Sequence, residues 1–209
     1  MLKRLALLAI ASVAAIACLS SAQADDSYQT LSEPVSHDTG GKILVQEVFW
    51  YGCPHCYDLE SSFKTWRDKA PNDVDVELLP ATMGKTWTDH ARAFYAAQDL
   101  GILDKTHEDF FNAIHQQHRR LTDPDDIADF YSNYGVSKEK VLDTLNSFGL
   151  KSQVNRAHSE LLAYKIMGTP AIVVDGKYVV TPQTAGGLDN MLNVTDQLIE
   201  KARAEKSAQ

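Results

Sequence analysis

The stretch FWYGCPHCYDLE, residues 49–60, decides how the chain is read. Two cysteines, Cys53 and Cys56, enclose Pro54 and His55, with aromatic residues on either side. Before them runs KILVQEVFWY, Lys42 to Tyr51, a β-rich and mostly apolar segment with the character of a buried strand. Gly52 ends that strand. Pro54 suits the first position of a helix, where a missing N–H costs nothing. The helix is expected from about Cys53 to Asp68, with Tyr57, Leu59, Phe63 and Trp66 as packing residues. Pro71-Asn72-Asp73 is a turn, and VDVELLPA, Val74 to Ala81, reads as a second strand. Strand, helix and strand at this spacing form a βαβ unit, which makes parallel neighbours.

About eighty residues of helical periodicity follow. Helices are expected over Trp87–Leu100 and Lys105–His118, the latter with Phe110, Phe111 and Ile114 on its apolar side. Asp123 caps a third, with Pro124 at its first position and Gly135 beyond its end. Ser137 caps a fourth running to about Phe148, and Leu150–Met167 makes a fifth. Strands then return at Ala171–Val174 and Lys177–Val180 around an Asp175-Gly176 hairpin turn. A last helix spans about Leu188–Ala204. The lead-in SYQTLSEPVSHDTGGK reads as irregular, and no internal repeat is evident. The expected class is therefore α/β, with one domain contributed by residues 25–84 and 168–209 and an all-helical subdomain, 85–167, inserted into it.

The composition is that of a globular protein, 44% hydrophobic and 23% charged. The first 24 residues differ. Lys3 and Arg4 precede an apolar run, Leu5 to Leu19, and Ala22-Gln23-Ala24 follows. This is the order of a cleaved secretory signal, and the run is shorter than the ~20 residues of a membrane span. A lesser alternative is lipidation at Cys18, although Ala15 stands where a lipoprotein box usually has leucine. Loss of Lys3 and Arg4 takes the net charge from −8 to −10. An acidic surface argues against nucleic acid and offers no attraction to anionic lipid.

Cleavage also removes Cys18, leaving Cys53 and Cys56 as the mature chain's cysteines. A bridge between residues three apart closes too small a loop to stabilise a fold much. Structural zinc needs four ligands, and no second cysteine pair exists. His115 and His118 read as a solvated helix face, and haem attachment would need histidine where Tyr57 stands. A C-x-x-C beside a βαβ pattern reads instead as a thioredoxin-like redox site. Cys53 opens a helix, where unpaired N–H groups and the helix dipole favour a thiolate. A protonated His55 would add positive charge. No cofactor and no metal are expected.

With CPHC at the helix start, the helical block, and G-T-P before a V-D-G hairpin, the chain resembles the thiol:disulfide interchange proteins of the DsbA family, periplasmic dithiol oxidases with a thioredoxin-like fold. The resemblance covers essentially all of the mature chain. It implies Cys53 as an exposed nucleophile after Pro54, His55 as its tuner, Cys56 as the buried sulfur and Pro170 as a cis proline. Glu47 matches a buried acid kept beneath the family's active site, able to relay a proton to Cys56; the basic partner some members carry is missing, with Glu77 or Leu78 in its region. Thr169 departs from the valine common before the cis proline and looks more like an isomerase. The partners implied are unfolded exported proteins with free cysteines and a DsbB-like, quinone-linked inner-membrane reoxidant, and the protein is expected to be a periplasmic monomer. Two other readings stay open: an isomerase or reductase kept reduced, and a periplasmic metal-binding protein using the two thiols as soft ligands.

Overall fold

The computed structural model describes residues 26–208. The signal reading and Cys18 lie outside these residues. The βαβ unit forms as the sequence indicates: β2 (Ile43–Phe49), α1 (Pro54–Arg67) and β3 (Val74–Pro80), with β2 and β3 parallel and Glu47 opposite Leu78. All seven residues of β2 are buried. The reason is its place in the sheet, between β3 and the antiparallel β4 (Ala171–Val174), so both of its faces are covered. β5 (Tyr178–Val180) pairs with β4 through the hairpin, whose turn has left-handed backbone at both Asp175 and Gly176. Gly176 is required twice over there: a Cβ would also sit 2.0 Å from the Val35 carbonyl oxygen. That contact belongs to the lead-in segment. It is not irregular throughout, because Gln29–Thr30 form β1, an edge strand on β5.

Between β3 and β4 run five helices: α2 (Lys85–Asp99), α3 (Leu103–His115), α4 (Pro124–Ser132), α5 (Lys138–Asn146) and α6 (Phe148–Ala163). Asp123, Ser137 and Ser147 cap α4, α5 and α6 through their side chains. Ser147 therefore separates α5 from α6, and α6 begins two residues earlier than its periodicity suggests. Its end also falls short of the expected Met167. Lys165 turns left-handed at φ 55°, and the Ile166 N–H reaches back to the Leu161 carbonyl, closing the helix by a Schellman-type turn without glycine. After β5 come a four-residue helix, α7 (Pro182–Ala185), a short 3₁₀ turn, and α8 (Met191–Ser207).

Three apolar clusters result. One lies between the sheet and α1 and α8, with Ile43, Val45, Leu59, Phe63 and Leu198. The second lies on the opposite face, where Val48 and Val173 meet Leu161 of α6. The third fills the helices and reaches Phe49, Tyr51 and both cysteines. Trp66, half-buried rather than fully packed, ties α1 to α8 by donating from its indole to Asp196 at 2.7 Å. The redox pair thus sits where the sheet, α1 and the helical block meet. Among the described residues no helix is long and apolar enough to cross a membrane.

Candidate active site

Cys53 is the N-cap of α1, and Pro54 takes the first turn. In that position the sulfur does what a capping oxygen does elsewhere, accepting from the Cys56 N–H at 3.4 Å. The Cys53 N–H is itself held by the Trp50 carbonyl at 2.9 Å. Gly52 allows this turn because the Trp50 indole folds over it, within 2.3 Å of where a Cβ would stand. The indole then stacks on Trp87, centroids 4.1 Å apart.

The two sulfurs live in opposite environments. Cys53 is 6% accessible and Cys56 fully buried. Cys53 is the more accessible sulfur but is not exposed; the Thr169 carbonyl, 3.4 Å from it, closes one side. The Cys56 thiol hydrogen-bonds Cys53, overcoming the opposing effect of burial; with the Thr169 side chain and the N–H groups of Cys56 and His55, it holds the Cys53 thiol at about 5. Burial, reinforced by the Cys53 sulfur, pushes the Cys56 thiol far up. His55 is exposed. Its backbone N–H is among the groups stabilising the thiolate.

The return half supplies the other wall. The Thr169–Pro170 peptide is cis. Beside it opens a cleft of about 470 Å³, lined by His55, Ile166, Met167, Thr169, Pro170 and Leu188. Met167 is 92% exposed, an apolar side chain left free by the early end of α6.

Beneath α1 lies a group of polar residues. Glu47, on the α1 face of β2, is 1% accessible and neither carboxylate oxygen has a hydrogen-bond partner. Burial raises its carboxyl well above the usual range, and the Glu60 carboxylate adds to that; Arg67 opposes it. Glu60 and His107, both buried, approach to 3.3 Å, and His107 Nδ1 lies 2.8 Å from the Tyr51 hydroxyl. Both line a groove of about 530 Å³ between α1, β3 and α3. Sequence reasoning singled out neither residue. Helical spacing could have found Glu60, which shares the buried stripe Cys56, Leu59, Glu60, Phe63. His107 likewise shares a stripe with Phe110 and Phe111.

His115 corrects the solvated-face reading. Only His118 is exposed; His115 turns inward and its Nε2 lies 2.8 Å from the Tyr51 carbonyl. Among the described residues no three His, Cys, Asp or Glu side chains are grouped to hold a metal.

Comparison with known proteins agrees with this geometry. The DSBA-like thioredoxin domain family matches residues 67–198. The thiol:disulfide interchange protein DsbA of Pseudomonas aeruginosa is 43% identical over 204 residues, 95% of each chain. Its namesake from Azotobacter vinelandii is 42% identical over 164 residues, covering 78% of this chain and 77% of that protein. The crystal structure of Pseudomonas aeruginosa DsbA superposes with a TM-score of 0.83 at 42% identity, covering 87% of this chain and 94% of that one. That of the Xylella fastidiosa oxidoreductase DsbA gives 0.81 at 34%, covering 85% and 96%. With its C-x-x-C capping α1 on a thioredoxin-like sheet, the chain belongs to the DsbA family of thiol:disulfide oxidoreductases.

Proposed function

We propose that this protein disulfide oxidoreductase works as a dithiol oxidase for exported proteins in the periplasm. The observation that carries the direction is the contrast between the sulfurs: one thiolate stabilised by a helix N-terminus, one thiol buried. A substrate thiolate attacks Cys53 Sγ of the oxidised pair. The Cys53–Cys56 bond breaks, and its electron pair passes to Cys56, which takes up a proton. Glu47, a buried carboxyl that keeps its proton unusually far up the pH scale, is the assigned donor. A second substrate thiolate attacks the substrate sulfur of the mixed disulfide, and Cys53 leaves as a thiolate. The substrate is oxidised and the pair reduced. A low leaving-thiol pKa speeds that last step, and a stabilised reduced form makes the disulfide a strong oxidant.

His55 and the cis Thr169–Pro170 edge flank the point of attack, and the cleft beside them suits an extended, partly apolar chain. A DsbB-like quinone-linked membrane protein is the proposed reoxidant, and the N-terminal segment the export signal. The functional unit is a monomer, with residues 85–167 a helical subdomain inserted between 25–84 and 168–209.

One feature favours an isomerase component: threonine stands before the cis proline, its carbonyl 3.4 Å from the Cys53 sulfur, and its side chain lowers both thiols. The test that separates the readings is the redox state of Cys53–Cys56 in intact cells, together with its equilibrium against glutathione. The oxidase reading expects a largely oxidised pair and a strongly oxidising equilibrium. A pair found mainly reduced, with a low potential, overturns it. His55→Ala is expected to raise the Cys53 pKa; an unchanged titration leaves the effect to the Cys56 thiol, Thr169 and the helix end.

A further inference from the structure

His107, Phe111 and His115 follow one another at four-residue spacing on α3, so they form one stripe along the helix. That stripe faces the redox motif. Tyr51, two residues before Cys53 and 1% accessible, is held at both ends by it. His107 Nδ1 meets its hydroxyl at 2.8 Å, and His115 Nε2 meets its main-chain carbonyl at 2.8 Å. A carbonyl only accepts, so His115 Nε2 carries the proton. The same imidazole lies flat on Tyr57, the residue after Cys56, with centroids 4.6 Å apart and 9° between planes. The Tyr57 hydroxyl in turn donates to Asn112, also on α3, at 2.8 Å. One helix from outside the βαβ unit therefore grips the chain on both sides of CPHC.

The grip falls where the geometry is least tolerant. The Cys56 N–H reaches the Cys53 sulfur at 3.4 Å, and the charge on that sulfur depends on the angle and distance of this contact. The path of the turn, residues 50–53, sets both. Within it the Trp50 carbonyl is held from inside by the Cys53 N–H. The Tyr51 carbonyl has its partner outside the turn, in His115.

We propose that α3 is the positioning element of the redox pair, and that His115, through its hydrogen bond to the Tyr51 carbonyl, holds the Cys53 turn in the geometry thiol exchange uses. The inference rests on the thiol-exchange reading of the pair. It is tested on the full mature chain with two substitutions. His115→Phe keeps a ring on Tyr57 but loses the N–H; His115→Gln restores a side-chain N–H near the Nε2 position. The readouts are the thiolate absorbance titration of Cys53 and the equilibrium with glutathione. His115→Phe is expected to lower the Cys53 acid dissociation constant about three- to tenfold, the loss of one hydrogen bond's worth of orientation. The glutathione equilibrium should move by a similar factor toward the oxidised protein. His115→Gln should recover most of both shifts. A folded His115→Phe within twofold of the parent in both readouts overturns the proposal. So does a His115→Gln that behaves like the phenylalanine variant, since shape and not the hydrogen bond would then be responsible. Ring nitrogen chemical shifts of the parent give a check that needs no variant: His115 Nε2 must be protonated throughout the Cys53 titration, and an Nδ1–H tautomer overturns the assignment. A parent whose Cys53 shows no depressed titration would instead sink the thiol-exchange reading itself.

Discussion

Gln46 and Glu47 are neighbours on β2, both buried, and the fold treats them in opposite ways. Gln46 faces α6. Its amide nitrogen donates to Glu160 at 2.8 Å and Glu77 at 3.1 Å, and its oxygen accepts from the Tyr164 hydroxyl at 2.5 Å. His37 of the lead-in joins the same network through Tyr164 at 2.7 Å. Glu47 faces α1 and the cysteines, and both its oxygens lack a partner. A polar residue without partners in an interior costs stability, and such costs are concentrated at working sites. The pair teaches that one strand can carry a structural polar residue on one face and a chemical one on the other. The number of hydrogen bonds tells them apart.

Gln46→Leu removes the structural member of the pair. It leaves the Glu77 and Glu160 carboxylates without their shared donor and removes one acceptor of the Tyr164 hydroxyl, which keeps Glu160 at 3.0 Å. Urea unfolding should show a loss of about 3 kcal/mol, while the glutathione equilibrium stays within about twofold, as expected for a group that acts on the fold alone. A redox shift as large as the stability loss would abolish the distinction.

The pH dependence of the chemical face is the next largest effect. The Cys53 thiol is lowered from the usual value to about 5. A depressed acid stabilises the folded reduced protein above its unfolded pKa and loses that contribution as pH falls through 5. The stability difference between reduced and oxidised protein should therefore narrow by about 2 kcal/mol between pH 7 and pH 5. Paired urea titrations of the two forms check it. A constant difference would mean that Cys53 is an ordinary thiol.

Glu47→Leu should act in the direction opposite to Gln46→Leu. Removing a buried carboxyl that has no partner should stabilise the oxidised protein by about 1 kcal/mol. Glu47 is raised, so the parent loses stability as pH climbs above the ordinary carboxyl range, and the advantage of Glu47→Leu should grow in that direction. Stopped-flow oxidation of a dithiol peptide should meanwhile slow several-fold. An unchanged rate would leave Glu47 as buried strain without a role in proton transfer.

The smallest effect belongs to Thr169→Val, which keeps the shape beside the sulfurs and removes the hydroxyl. The Cys53 midpoint should rise by about half a pH unit. A shift of the same size in the mixed-disulfide lifetime, measured by quenched-flow trapping, would assign the hydroxyl to release of substrate. No change in either would make the threonine a packing residue.

Much of this was legible in the residues. The strand–turn–helix around CPHC follows from an apolar β-rich run, a glycine stop and a proline at the helix start. The caps Asp123 and Ser137 announced two helices by their chemistry. Cys53 at the helix start follows from the strand, glycine and proline around it, and Cys56 as the buried sulfur from the family resemblance. The errors have local causes. The α6 end was missed because Lys165 adopts the left-handed backbone that glycine usually marks. β1 was missed because two residues paired to a distant hairpin leave no periodic trace.

Local chemistry along the chain settles which segments form helices and strands, where the turns fall, and that one sulfur sits at a helix N-terminus. Those outcomes depend on contacts within a few residues of the chain. Which polar groups meet is settled only when the helices pack on the sheet. Glu47 lies 13 residues before Glu60, and Tyr51 lies 56 residues from His107 and 64 from His115. Whether a buried carboxyl finds a donor, or an imidazole finds a carbonyl, depends on how α3 and α6 dock on the sheet. No pattern along one segment carries that information, because hydrogen-bond partners are chosen by three-dimensional packing.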